Sequence, residues 1–415
     1  MSQDEYVTPE PFRIEIPERV LSDLDERLRK TRWPTAVAGA DATTWPYGCD
    51  LDALRELVDY WRHAYDWRQA EIALNRYPQY LVDIDGQRLH FIREPATPTE
   101  DGDGALPLVL THGWPGSTLE FMEIVDLLAH PERHGGSPLD AFDVIVPSLP
   151  GYGFSGPPIR KDGAGPIGPR AIARLWHRLM AERLNLAGPY AAQGGDWGAI
   201  VTSWLGYDYP WNGEDDVAGL IGIHLNMAGF RPALGSETEL TPEERAWLAD
   251  ARKTRERETA YQRIQSTKPQ TLNVALTDSP VGLAAWVLEK FHGWSDCRGD
   301  VLKHFSLDTL ITNIMIYWVS GSIGTANWLY RGVREENSFG PDPGTRVETP
   351  TGFARFPADL SPPPPRAWVE RAYNLKRYTE MPRGGHFAAL EEPALLVEDI
   401  REFFRPLRFG VANDA

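Results

Sequence analysis

The chain is short of three things. Cysteine occurs only as Cys49 and Cys297 in 415 residues. Two thiols cannot form the disulfide framework of a small secreted domain, so a reducing compartment, the cytoplasm, is expected. Positive charge is in deficit: 42 Lys and Arg against 59 Asp and Glu leave a formal charge of −17. Nucleic acid and anionic membranes attract basic surfaces, and neither is expected as a partner. No apolar run approaches the roughly 20 residues a membrane-spanning helix needs, and Met1 to Tyr6 are polar and acidic, with no signal-peptide pattern.

What is present is a globular composition, 42% apolar, with 15 Trp, 15 Tyr and 15 Phe. A chain of this length buries a large core and has room for an insertion or a second domain. Residues 10–76 read as helical and irregular, with an apolar stripe at Val20, Leu21, Leu24 and Leu28 behind Pro17, and a second helix beginning at Asp50. The period then changes. Tyr80–Ile84 and Arg88–Ile92 flank Asp85-Gly86, a hairpin signal. Short apolar runs of the buried-strand type follow at Leu108–Thr111, Val144–Pro147, Pro189–Ala192 and Gly219–His224, with helical stretches at Thr118–Ala129 and Ile172–Leu184 between them. This alternation predicts an α/β fold with a mostly parallel sheet flanked by helices. From about Gly229 to Thr349 the pattern is helical, with helices opening at Thr241 and covering Val281–Phe291, Leu307–Ser320 and Ala326–Glu336. Strands resume near Thr351–Phe356 and Asn374–Tyr378, and a helix closes the chain from Pro393 to Phe404. The expected organisation is therefore an N-terminal meander (1–76), a sheet domain in two parts (77–227 and 350–415) and a helical cap inserted between them (228–349).

A serine is also missing where the turn chemistry invites one. Gly194-Gly195-Asp196-Trp197-Gly198 has the form of a nucleophile elbow, G-x-S-x-G, with aspartate at its centre. Serine suits a carbonyl substrate. On a saturated carbon, as in an epoxide or an alkyl halide, serine would leave an inert ether. A carboxylate leaves an alkyl ester, whose carbonyl an activated water can attack to restore the aspartate. The competing reading is a glycine-rich turn in which Asp196 merely caps a helix.

Other segments supply partners for such a nucleophile. His112-Gly113-Trp114-Pro115-Gly116-Ser117 follows a strand, where a loop lends a backbone N–H to an oxyanion hole; the residue after the nucleophile lends the other. The donors would be the N–H groups of Trp114 and Trp197, with His112 structural. His386, in Gly384-Gly385-His386, falls between the last strand and the last helix, the place of a general base. Asp359, 27 residues earlier, would orient it. The alternative acid position, after the strand ending near Leu225, holds the uncharged Asn226, and Glu391 and Glu392 read as surface or capping residues on the final helix.

Taken together, HGWPGS, GYGFSGPP, GGDWG, DSPVGLAAW and MPRGGHFAALEEP resemble the microsomal or juvenile-hormone type of epoxide hydrolase, over nearly the whole chain. Arg32-Trp33-Pro34 is similar to the extra N-terminal region of that family. The resemblance implies an α/β-hydrolase core with a helical cap, conversion of an epoxide to a vicinal diol, and no metal or organic cofactor. It also implies two cap tyrosines that donate to the epoxide oxygen. Tyr261 and Tyr330 match these positions, with Tyr317 competing for the second. Mammalian and insect relatives carry a membrane anchor that this sequence lacks, which implies a soluble bacterial member. A haloalkane dehalogenase-like hydrolase, with the same aspartate nucleophile, is the alternative; a catalytically silent member of the fold is a further one. The expected partner is a small-molecule epoxide, for which the aromatic content suggests a bulky or aryl group. A homodimer is the expected assembly.

Overall fold

The computed structural model describes residues 8–97, 105–214, 216–232, 239–342, 345–360 and 362–410, so the reading of Met1–Tyr6 lies outside the described residues. Nine strands form one sheet: β1 (Glu10–Phe12), β2 (Gln79–Ile84), β3 (Gln87–Glu94), β4 (Leu106–Thr111), β5 (Phe142–Pro147), β8 (Pro189–Gly194), β9 (Gly219–Leu225), β10 (Val347–Arg355) and β11 (Tyr373–Glu380). A separate ribbon pairs β6 (Ile159–Arg160) with β7 (Gly163–Ala164). The sheet order is β1-β2-β3-β5-β4-β8-β9-β10-β11. From β5 to β11 every pairing is parallel, and β1 to β3 add an antiparallel edge that joins at β5. The hairpin between β2 and β3 turns on Asp85 and Gly86, both with positive φ, as a two-residue turn of this twist requires. Parallel strands covered by helices on both faces read as unbroken apolar runs, and all seven residues of β9 are buried.

The N-terminal region differs from its reading as wholly helical and irregular. Its helices, Glu18–Arg29, Leu51–His63 and Trp67–Leu74, are joined by β1, which pairs with Gln79–Leu81 at the edge of the sheet. Three residues are too few to show a period of two. Asp50 caps the second helix by accepting from the N–H groups of Asp52 and Ala53. The stretch Thr118–Ala129 also departs from expectation. It splits into a 3₁₀ turn, Thr118–Phe121, and a short helix, Val125–Ala129, although its apolar spacing runs on through the break.

Between β9 and β10 lie eight helical segments among the described residues: Pro242–Glu258, Ala260–Thr267, Pro269–Asp278, Pro280–Trp294, Val301–His304, Leu307–Ser320, Ile323–Ala326 and Trp328–Glu336. Thr241 and Glu244 form a reciprocal capping box, and Pro242, Pro269 and Pro280 each open a helix where no N–H is needed. β10 begins at Val347, three residues before the expected resumption of the core. The helix Leu307–Ser320 is buried continuously from Leu310 to Tyr317. A helix apolar all round belongs between layers, and this one packs between the helices Pro280–Trp294, Leu51–His63 and Trp67–Leu74 and the loop after β4. Each large apolar side chain buried there contributes about 1.5–3 kcal/mol, and Ile311→Ala would cost about 2–5 kcal/mol by leaving a cavity.

Candidate active site

β8 delivers the chain to Gly195, and Asp196 begins the helix Asp196–Asp208 with φ +48°, a left-handed conformation that non-glycine residues seldom adopt. The flanking glycines explain how the turn closes. A Cβ on Gly194 would lie 2.3 Å from the Gly198 carbonyl oxygen, and one on Gly198 would lie 1.8 Å from that of Thr111. Gly113 serves the same end: its Cβ would meet the Asp196 side chain at 2.3 Å. Asp196 does not cap its helix, because Gly195 occupies that position without a side-chain cap. Its carboxylate instead accepts from the Trp114 N–H at 2.8 Å and lies 3.4 Å from His386 Nε2, an ion-pair distance longer than a tight hydrogen bond.

His386 stands on the loop after β11. Its Nδ1 meets Asp359 Oδ1 at 2.6 Å. The two loops are stitched together, since Ala358 N–H donates to the Gly384 carbonyl at 3.0 Å and Ala358 bridges Gly385. From the cap side, the Trp294 carbonyl accepts from His386 N–H at 2.9 Å, and the Trp294 ring meets the imidazole edge-on at 5.0 Å. Burial alone would lower the pKa of this imidazole. Asp359 and Asp196 outweigh burial and hold it well above the ordinary histidine value.

The remaining sequence candidates sort by their partners. His112 is buried, accepts the Leu149 N–H at Nε2 (3.1 Å) and faces the Gly113 carbonyl at Nδ1 (3.0 Å), so both nitrogens hold the loop. Its pKa is pushed down to about 4 by burial. Asn226 accepts from Gln193 beneath the elbow at 2.8 Å. Tyr261 and Tyr330 are both buried, on the helices Ala260–Thr267 and Trp328–Glu336. The Tyr261 ring stacks on Trp114 at 5.2 Å, the Tyr330 ring stands edge-on to Trp197 at 4.7 Å, and the two phenols face each other at 5.8 Å. Burial and the Asp196 charge raise the pKa of both. Tyr317 is engaged elsewhere: its hydroxyl donates to the Gly116 carbonyl at 2.5 Å. Trp197 stands in the first turn of the Asp196 helix, where backbone N–H groups have no intrahelical acceptor.

Two carboxylates near the site were not anticipated in these roles. Glu391 is not on the final helix. It ends a separate short helix, Ala388–Glu391, and its side chain is fully buried. It accepts from the N–H groups of Asp296 (2.8 Å), Gly385 (3.0 Å) and Phe387 (2.9 Å), and so clamps the histidine loop. Glu392 follows as the C-cap and pairs with Arg383 at 2.5 Å. Glu120 lines a closed cavity with Gly113, Trp114, Gln193, Asp196 and His386, whose volume of about 10 Å³ is near that of one water. Burial pushes its carboxyl up to about 8; His386 lowers it and Asp196 raises it further. Gly116 makes room for this side chain, since a Cβ there would lie 1.5 Å from Glu120 Oε1. In sequence, Ser117-Thr118-Leu119-Glu120 reads as an ordinary helix-start pattern.

Residues 9–121 match the family model described as "Epoxide hydrolase N terminus", and residues 107–280 match that of the alpha/beta hydrolase fold. A protein of Stigmatella aurantiaca that carries an epoxide hydrolase name is 43% identical over 96% of this chain and 85% of its own length. Epoxide hydrolase 1 of Sus scrofa is 37% identical over 97% of this chain and 89% of its own. Among solved structures, juvenile hormone epoxide hydrolase from the silkworm Bombyx mori superposes with a TM-score of 0.82 at 29% identity, covering 98% of this chain and 96% of that one. Identity at this level over almost the full length, on an α/β-hydrolase sheet, shows that the chain belongs to the epoxide hydrolase family.

Proposed function

We propose that the protein hydrolyses an epoxide to a vicinal diol through an alkyl ester on Asp196. One observation carries the reading: a carboxylate on a left-handed elbow lies between the Trp114 N–H at 2.8 Å and the Nε2 of His386 at 3.4 Å, with that histidine bound to Asp359 at 2.6 Å. An Asp196 oxygen attacks a ring carbon, the C–O bond of the epoxide breaks, and the electron pair goes to the ring oxygen. Tyr261 and Tyr330 donate hydrogen bonds, and then a proton, to that oxygen. In the second step His386 takes a proton from water, and the hydroxide adds to the ester carbonyl. The N–H groups of Trp114 and Trp197 hold the resulting oxyanion. Collapse breaks the ester C–O bond; the carboxyl proton passes to the departing oxygen, which releases the diol and restores the Asp196 carboxylate, and the proton on His386 returns to the tyrosinate.

The electrostatics suit this order. The imidazole is held high by two carboxylates, Asp359 and Asp196. Ester formation removes the charge of Asp196, so the imidazole becomes free to act as a base only once there is an ester to hydrolyse. The aromatic cluster beside the elbow, with Trp114, Trp294, Tyr261 and Tyr330 packed together, supports a bulky or aryl epoxide as the substrate class. Cys49 and Cys297 are both free thiols, which supports a reducing compartment such as the cytoplasm.

The test is to trap the ester. After mixing with an aryl epoxide, His386→Gln should show the mass of one substrate on the peptide containing Asp196, and Asp196→Asn should show none. Absence of the adduct from the histidine variant, or halide release from alkyl halides without diol from epoxides, would overturn the reading.

A further inference from the structure

One buried cation near the site takes no part in the scheme above. Lys290 lies in the last turns of the helix Pro280–Trp294 and is 5% exposed. Its ammonium pairs with Glu289 and lies over three aromatic rings: Tyr261 at 4.7 Å, Trp286 at 5.5 Å and Trp294 at 5.9 Å from the centroids. Taking an ammonium out of water is costly unless ion pairing and ring faces replace its hydration. Here the nearest of those faces belongs to the phenol assigned as a proton donor.

We propose that Lys290 is a positioning residue for the reaction: its ammonium, seated on the face of Tyr261, strengthens the hydrogen bond that this phenol gives to the opening epoxide oxygen. The inference rests on the reading of Tyr261 as a donor. A cation over a phenol ring draws electron density from the hydroxyl and favours the partly deprotonated state that donation to an alkoxide creates. The need for it is specific, because burial and the Asp196 carboxylate both make the Tyr261 hydroxyl a reluctant acid, and Glu289 adds to this. The ring is also fixed in direction. It is packed by Trp114, stacked at 5.2 Å, Trp294, tilted at 5.3 Å, and Tyr330, edge-on at 5.8 Å, and its hydroxyl accepts from the Gln262 side chain at 3.0 Å. Trp294 in turn packs against His386, so this one helix carries the cation on the acid side of the site and a wall on the base side. The charge matters only while oxygen leaves the ring. Ester hydrolysis, run by His386 and water, should not need it.

The experiment separates the two steps. Single-turnover reactions with styrene oxide are quenched on the millisecond scale, and the ester on Asp196 is followed by mass spectrometry. Lys290→Met should slow ester formation about tenfold while its hydrolysis stays within about twofold of the wild type. Lys290→Arg, which keeps a cation on the ring, should recover most of the lost rate. In a Tyr261→Phe background, Lys290→Met should slow ester formation no further, because the group it acts through is gone. Should the Met variant fail to fold, Lys290→Gln carries the same comparison. The inference is overturned if Lys290→Met forms ester at the wild-type rate, if both steps slow together, or if the loss is equally large without the Tyr261 hydroxyl. These outcomes are distinct from failure of the functional reading, in which the wild type itself forms no ester on Asp196.

Discussion

Two buried imidazole–carboxylate pairs lie at the sheet, and their partners differ more than their geometry. His386 Nδ1 meets Asp359 at 2.6 Å, and His224 Nε2, on β9, meets Asp399 at 2.9 Å. Asp399 also accepts from Arg377 (2.7 Å) and Thr379 (2.6 Å), which ties the final helix to β9 and β11. Burial would raise the Asp399 carboxyl, but the bonds from His224, Thr379 and Arg377 outweigh it and hold it down at about 2. The His224 ring itself is packed against Phe403 and is fully buried. His386 differs in one respect: its second nitrogen faces the Asp196 carboxylate and a cavity of about one water's volume instead of packed side chains. A close histidine–aspartate pair is therefore no sign of chemistry by itself. What separates the two is a nitrogen left facing a nucleophile and a space.

The comparison can be broken from either side. Asp196→Asn should lower kcat/KM for diol formation by about 10⁴-fold, with folding intact by circular dichroism, whereas Asp399→Asn should leave activity per folded molecule close to the wild type. Loss of activity in a well-folded Asp399 variant would undo the distinction. Asp399→Ala should in turn cost about 3–5 kcal/mol in urea unfolding, because it leaves Arg377 and His224 without their buried acceptor.

Acid should expose the same pair. The folded carboxyl of Asp399, at about 2, lies below its ordinary value of 3.8. Its contribution is therefore present above pH 4 and is lost as the pH falls from about 4 through about 2, amounting to about 2 kcal/mol. Denaturation midpoints measured across that range should fall less steeply in Asp399→Asn. At the active site the expected sign is on the imidazole. Removing the Asp196 charge should move the NMR titration of His386 down by about one pH unit or more; an unchanged midpoint would mean that Asp196 does not hold the histidine high. The smallest effect concerns Glu120, whose carboxyl titrates at about 8. Above that pH it becomes a further anion beside His386, which raises the imidazole pKa and keeps more of it in the protonated form that cannot take a proton from water. Turnover should therefore fall about two- to threefold through that range, and Glu120→Gln should remove this limb of the profile.

The legible parts of the site were those whose physics is local. Gly194 and Gly198 mark the elbow by their spacing around Asp196; a Cβ on Gly194 would strike the Gly198 carbonyl within the motif, whereas one on Gly198 would strike Thr111 on the neighbouring strand. Asp359 and His386 were legible from their positions relative to strands, although nothing short of the fold could show them 2.6 Å apart. Tyr330 and Tyr317 were not separable in sequence, since both are tyrosines on apolar helices. The structure separates them through the Gly116 carbonyl, which occupies the Tyr317 hydroxyl. Glu120, Glu391 and Lys290 look like ordinary charged helix residues. Their surroundings include partners distant in the chain, Asp196 and His386 for Glu120, Asp296 for Glu391 and Tyr261 for Lys290, which a local window of sequence does not bring together.

Hydrophobic period, glycine spacing and the absence of a serine, all properties of neighbours in the chain, determined the alternating α/β order, the elbow pattern and the carboxylate at its centre. Tertiary structure alone decided where charge is shielded and which donors remain unspent. Desolvation and Coulomb interactions depend on everything within several ångströms, whichever part of the chain supplies it. That is why the carboxylate could be named from the sequence, while its elevated histidine, its clamped loop and the cation over Tyr261 emerged only in the folded chain.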